Sequence, residues 1–196
     1  MSVIRHCEKS HLQKHCNYIG LERSVNLASL FGDGDERWPK PAYIYAEGAG
    51  GRHNPFKRNY REIETVGPLS EKVGVKVKAS YDTMTEDALA REILSMLKQG
   101  HLCGKLVVIS WKHSRIGPLA RKLGCGRMEG CPYDYKGKTF DEVWQLRYVY
   151  DYLVDGDNTE YDETYFPTIW QVLGSVQNQN FDPLTFSKKQ GVSDCC

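Results

Sequence analysis

The spacing of apolar and polar residues changes period several times along this chain, and each change marks an element. Val3-Ile4 is a short apolar stub, a candidate buried strand that delivers Arg5-His6 at its end. Gly20 opens a stretch in which Leu21, Val25, Ala28 and Phe31 recur at the helical period, with Leu27 and Leu30 beside them. Residues 32–35, Gly-Asp-Gly-Asp, stop that helix. Residues 42–46 (Ala-Tyr-Ile-Tyr-Ala) form a compact run of strong β-formers. A helix is predicted from Tyr60 towards Val73, limited by Pro68, and a short strand at 75–77. Thr85-Glu86-Asp87 caps and charges a helix to Lys98, with Ala88, Leu89, Ile93, Met96 and Leu97 on its apolar side. Residues 105–111 are almost continuously apolar, as in a strand buried on both faces. A short helix over 115–123 ends at Gly124.

Strands and helices thus alternate through the first two thirds of the chain. This predicts an α/β fold, a three-layer α/β/α sandwich on a mainly parallel sheet. The last third reads differently. Residues 140–148 and 168–173 alternate apolar with polar, as half-exposed strands do, and predict an antiparallel edge strand or hairpin around the acidic stretch 151–163. One domain over 1–176 followed by a polar tail, 177–196, is the expected organisation.

Composition narrows the function classes. The 196 residues are 40% hydrophobic and 26% charged, enough for a real core. Lys+Arg 26 against Asp+Glu 25 gives a net charge of +1, which argues against a nucleic-acid or acidic-membrane surface and requires any anion site to concentrate its charge locally. The longest apolar runs, such as 106–109, are strand-length, so no membrane span is expected, and the start of the chain lacks the apolar core of a signal peptide. The cysteines are Cys7, Cys16, Cys103, Cys125, Cys131, Cys195 and Cys196. Their odd number, without CxxC pairing, predicts reduced thiols in a cytoplasmic protein. Zinc at Cys125/Cys131 lacks partner ligands, and Cys195-Cys196 reads as an exposed tail rather than a lipidation signal. His11 and His15, flanking Cys16, read as polar loop residues. Asp155 and Asp157 lack the remaining ligands of a calcium loop.

Chemistry concentrates at strand ends, where α/β sheets bind ligands. The first strand delivers Arg5-His6. The strand at 42–46 delivers a glycine-rich basic loop, 47–59, with Arg52, His53, Lys57 and Arg58. The strand at 105–111 delivers Trp111-Lys112-His113. Arginine forks and imidazoles at one sheet edge suit a phosphate group.

These residues resemble the histidine phosphatase (phosphoglycerate mutase-like) superfamily. Val3-Ile4-Arg5-His6 matches its strand followed by Arg-His-Gly, with Cys7 in place of the glycine. Gly20-Leu21-Glu22-Arg23 matches its Gly-x-x-Arg helix start. Arg61-Glu62-Ile63-Glu64-Thr65-Val66-Gly67-Pro68-Leu69 matches its Arg-x-x-x-Thr-x-x-Pro-Leu element, and the buried strand ending at His113 its second histidine. The matches run in order over residues 3–124.

The resemblance implies a phosphatase that hydrolyses a phosphate monoester, a small metabolite or phosphorylated side chain, through a phosphohistidine. His6 would be the nucleophile, with Arg5, Arg61 and His113 around the phosphoryl group. Arg58, Arg52 and Lys112 are expected to bind substrate, the first two also being alternatives for the second arginine. The general acid stays open among Glu47, Asp82 and Glu86. Ser114 follows His113 where the acid-phosphatase branch has Asp. No metal or cofactor is implied, and the oligomeric state is left open. A catalytically inactive member that binds a phosphorylated ligand or partner is the alternative.

Overall fold

The computed structural model describes residues 1–11, 14–50, 58–151 and 168–182. Its elements are β1 (Ser2–Arg5), α1 (Tyr18–Asp33), β2 (Pro41–Glu47), α2 (Arg61–Val73), β3 (Val77–Tyr81), α3 (Glu86–Lys98), β4 (Leu106–Trp111), α4 (His113–Lys122), β5 (Glu142–Asp151) and β6 (Thr168–Asn178). They form an α/β fold with a six-stranded mixed sheet ordered β3-β2-β4-β1-β5-β6. The four strands β3, β2, β4 and β1 are parallel. β5 runs antiparallel to β1, and β6 antiparallel to β5, forming the expected hairpin at one edge.

Side chains on a strand point alternately to opposite faces, and the core divides accordingly. Val3, Val107, Ile109 and Trp111 join Leu89 and Ile93 of α3 and Ile116 and Leu119 of α4. Ile4, Ile44 and Val108 join Leu27 and Phe31 of α1 and Val66 and Leu69 of α2. Each fully buried aliphatic or aromatic side chain contributes ~1.5–3 kcal/mol, so β1 and β4, buried at every position, anchor the sheet.

Several expectations need correction. α2 does not stop at Pro68 but continues to Val73. Proline removes one intrahelical donor, and the burial of Val66 and Leu69 on either side outweighs that loss. The strand expected at 75–77 lies at 77–81, an edge strand with alternating exposure. α4 begins at His113, two residues early, because extended Lys112 supplies the carbonyl that accepts the Arg115 N–H at 2.8 Å. β6 passes residue 176 to Asn178, and Gln179 and Phe181 are buried. The first part of the predicted tail therefore belongs to the fold.

The cysteines are also corrected. Cys7–Cys16 and Cys125–Cys131 are disulfides, with Cα–Cα separations of 5.6 and 5.7 Å. Folding brings each pair within bridging distance, which a count of cysteines does not reveal. Among the described residues Cys103 is the free thiol, and it is exposed. No helix of the described residues is long and apolar enough to cross a membrane. Residues 152–163, with Asp155 and Asp157, and the tail 183–196, with Cys195 and Cys196, lie outside the described residues.

Candidate active site

The parallel strands all end on one edge of the sheet, and this collects the site. β1 ends at Arg5 with His6 following, β4 ends at Trp111 before Lys112 and His113, β2 ends at Glu47, and Asp82 follows β3. Register pairs Arg5 with Trp111, and the His6 N–H donates to the Trp111 carbonyl at 3.3 Å. Adjacent strands therefore set the two imidazoles side by side, ring centroids 5.9 Å apart and nearly perpendicular.

His6 is 3% exposed. Its Nδ1–H donates to the Cys7 carbonyl at 2.7 Å, which leaves Nε2 as the lone-pair nitrogen. Burial is the main force lowering its pKa to about 3. The bond to Cys7 opposes the shift, while the positive charges of Arg61 and Arg5, and His113, add to it. The imidazole is therefore neutral in ordinary buffers, as a nucleophile requires.

Three cationic or imidazole groups surround it. Arg61, the first residue of α2, is aimed by Asn59, whose Oδ1 accepts from its Nε at 2.8 Å, and its Nη1 lies 3.5 Å from the His6 ring. Arg5 donates through Nη1 to the carbonyls of Gly137 at 2.7 Å and Thr139 at 2.9 Å. Its guanidinium carbon stands 3.7 Å over the Phe140 ring. Arg5 Nε and His113 Nδ1 are buried without a hydrogen-bond partner among the described residues. Burial, then Arg5, Lys112 and Arg61, lowers the His113 pKa. Its place at the N-terminus of α4 adds backbone donors suited to an anion.

The backbone after His6 is braced where Cys7 replaces glycine. The Cys7 N–H donates to Thr65 Oγ1 at 2.8 Å, and that hydroxyl donates to the Arg61 carbonyl at 2.6 Å. The disulfide draws Cys16 to this point, where Glu64 accepts the Cys16 N–H at 2.7 Å and holds His15 at 2.5 Å. One polar network thus links β1, the loop after it and α2.

Two carboxyls lie at this edge, one beside Lys112 and one beside His6. Glu47 Oε2 accepts the Lys112 N–H at 3.2 Å. Its pKa is pushed up to about 7, chiefly by burial, then by the charge of Glu62. Glu62 is 1% exposed, and its Oε1 lies 4.0 Å from His6 Nε2.

Sequence reasoning brought His6, His113, Arg5, Arg61, Lys112 and Glu47 to this edge, and the structure collects them there. It does not bring Glu86 in: that residue is committed to ion pairs with Arg115 and Lys122. Asp82 is occupied in the turn before α3, where its Oδ1 accepts the N–H groups of Met84 and Thr85. Arg58 is exposed and lines a cleft with Tyr60, Tyr81 and Asp82. Arg52, His53 and Lys57 lie outside the described residues. Arg23 ties Glu8 to Asp141 under the Phe181 ring rather than touching His6.

Glu62 and Phe140 were missed. Glu62 had a signal: with Thr65, Val66 and Leu69 it completes the helical stripe i, i+3, i+4, i+7, so its carboxylate faces inward. Phe140 had none, because only the long return of the chain from α4 sets it over Arg5.

Neither the protein-family models nor the curated proteins contain a match to this chain.

Proposed function

We propose that this protein is a phosphatase of the histidine phosphatase type, hydrolysing a phosphate monoester through a phosphohistidine on a three-layer α/β/α scaffold. The observation that carries the reading is a neutral His6 with Nδ1–H locked on a backbone carbonyl, set among Arg5, Arg61 and His113. Nε2 attacks phosphorus and the bond to the ester oxygen breaks. Glu47 gives that oxygen its proton. Water then attacks the phosphohistidine, the P–N bond breaks with its electron pair returning to Nε2, and the Glu47 carboxylate takes the water proton. Inorganic phosphate leaves and the starting state is restored.

Phosphoryl transfer needs positioning and fixed positive charge more than covalent help. Arg5 and Arg61 supply that charge in a water-poor setting, where one well-placed donor is worth ~10²–10³ in rate. The substrate is a small phosphorylated molecule or side chain. Cytoplasmic residence is the expectation from sequence; the two disulfides weigh against it, since such bonds persist mainly in oxidising compartments.

Rapid mixing with an aryl phosphate should trap an acid-labile, base-stable phosphoenzyme in wild type and none in His6→Ala. Phosphate binding without turnover or phosphoenzyme would replace this reading with that of a phosphoryl-binding protein.

A further inference from the structure

Glu62 takes no part in the steps above, yet it stands against the nucleophile. Its Oε1 is 4.0 Å from His6 Nε2 and has no hydrogen-bond partner among the described residues. Its Oε2 is satisfied by Asn59 Nδ2 at 2.7 Å. A carboxylate oxygen buried without a donor carries a penalty of ~1–3 kcal/mol or more. The penalty is sharper here because the neutral imidazole presents a lone pair at Nε2, so two acceptors face one another. A proton on Glu62 removes the conflict, and a ligand oxygen would use it.

We propose that Glu62 is a catalytic residue that binds the phosphoryl group as a neutral carboxylic acid, donating a hydrogen bond to a phosphoryl oxygen beside His6 Nε2. The proposal rests on the phosphatase reading and deepens it: the pocket binds phosphate more tightly when Glu62 carries its proton. At 4.0 Å from Nε2 the carboxyl is one hydrogen bond from an oxygen of a phosphoryl group attached there. Protonated, it adds a fourth directed group to Arg5, Arg61 and His113. Ionised, it sets negative charge against a phosphate anion in a site with little water to screen it.

The groups around Glu62 come from every neighbouring element. The backbone N–H of Glu62 itself, Arg61 on its own helix, Asn59 before it and Lys112 from the β4–α4 link all favour the ionised form. Burial opposes them and prevails, raising its pKa. His6 faces it from the end of β1, and Glu47 from β2, where a negative charge on either carboxyl disfavours one on the other. While Glu62 carries its proton it holds the phosphoryl group, and Glu47 exchanges a proton with the leaving group and water.

The test is calorimetric binding of inorganic phosphate to wild type and Glu62→Gln across pH. Glutamine keeps an acceptor for Asn59 and a donor for phosphate but does not ionise. Taking the ratio of the two Kd values at each pH cancels the titration of phosphate itself. The ratio of wild-type to variant Kd should be near one at acid pH and rise at least about tenfold once Glu62 ionises at alkaline pH. Glu62→Ala should bind weakly at both. A ratio independent of pH overturns the proposal, and does so without touching the phosphatase reading if wild type still forms the phosphoenzyme. Absence of phosphate binding to wild type overturns both. If Glu62→Gln fails to fold, phosphate binding to Glu47→Gln in buffers of different ionisation enthalpy replaces it. Net proton uptake at alkaline pH is expected, and none would count against Glu62.

Discussion

The carbonyl of Cys7 accepts the Nδ1–H of His6 at 2.7 Å, so a residue held by a disulfide also sets the tautomer of the nucleophile. The bridge to Cys16 closes a short loop, whereas the N–H of Cys7 is held independently by Thr65. Stability and tautomer therefore have separate supports.

It follows that Cys16→Ala should lower stability by roughly 2–3 kcal/mol, the loop-closure value for a bridge of this span. Phosphoenzyme should still form, because Thr65 keeps Cys7 in place. Urea unfolding of wild type and Cys16→Ala, beside a phosphoenzyme assay, measures both; equal midpoints would show that the bridge adds nothing.

Glu47 makes stability depend on pH. Its folded pKa of about 7 lies above the ordinary 4.5, so the native state holds the proton longer than the unfolded chain. The stability this gives is present below about 4.5 and is lost as pH rises through about 7. Wild type should lose roughly 2–3 kcal/mol more than Glu47→Gln between about pH 5 and about pH 8 in urea titrations. The His6 titration has the opposite sign but is common to both proteins and drops out of the comparison. Identical pH profiles would place Glu47 in contact with water.

Arg5 rests on Phe140 as well as on two carbonyls. Phe140→Ala removes a cation–π contact of ~0.5–2 kcal/mol, and should weaken inorganic phosphate binding about 3- to 30-fold with the fold intact. Phe140→Tyr should bind phosphate as wild type does. Weakening by both variants alike would point to the loop rather than to the ring.

Gly174 of β6 packs on the second disulfide. A Cβ there would stand 2.5 Å from Cys125 Sγ and 2.7 Å from Cys131 Sγ. Neither sulfur can retreat while bridged, so Gly174→Ala should destabilise by about 1–3 kcal/mol, as overpacking does. Unchanged thermal unfolding would mean that the β5–β6 hairpin shifts freely against 125–131.

Much of the site was legible in one dimension because strands have directions. Once Val3-Ile4 and residues 105–111 read as buried parallel strands, Arg5-His6 and Lys112-His113 had to emerge at the same edge. Glu62 was half legible, lying on the inward stripe of its helix although its charge argued for solvent. Glu86, one of the three candidates for the general acid, is instead neutralised by Arg115 and Lys122.

By itself the sequence determined the element types, their alternation and the strand ends that carry the imidazoles and arginines, since those follow from local periodicity and chain direction. Tertiary structure alone decided which cysteines meet, that Phe140 supports Arg5, and that Glu62 lies beside Nε2 while Asp82 and Glu86 are otherwise engaged. Those relationships depend on distances between segments far apart in the chain, and on burial, which is set only when the layers close.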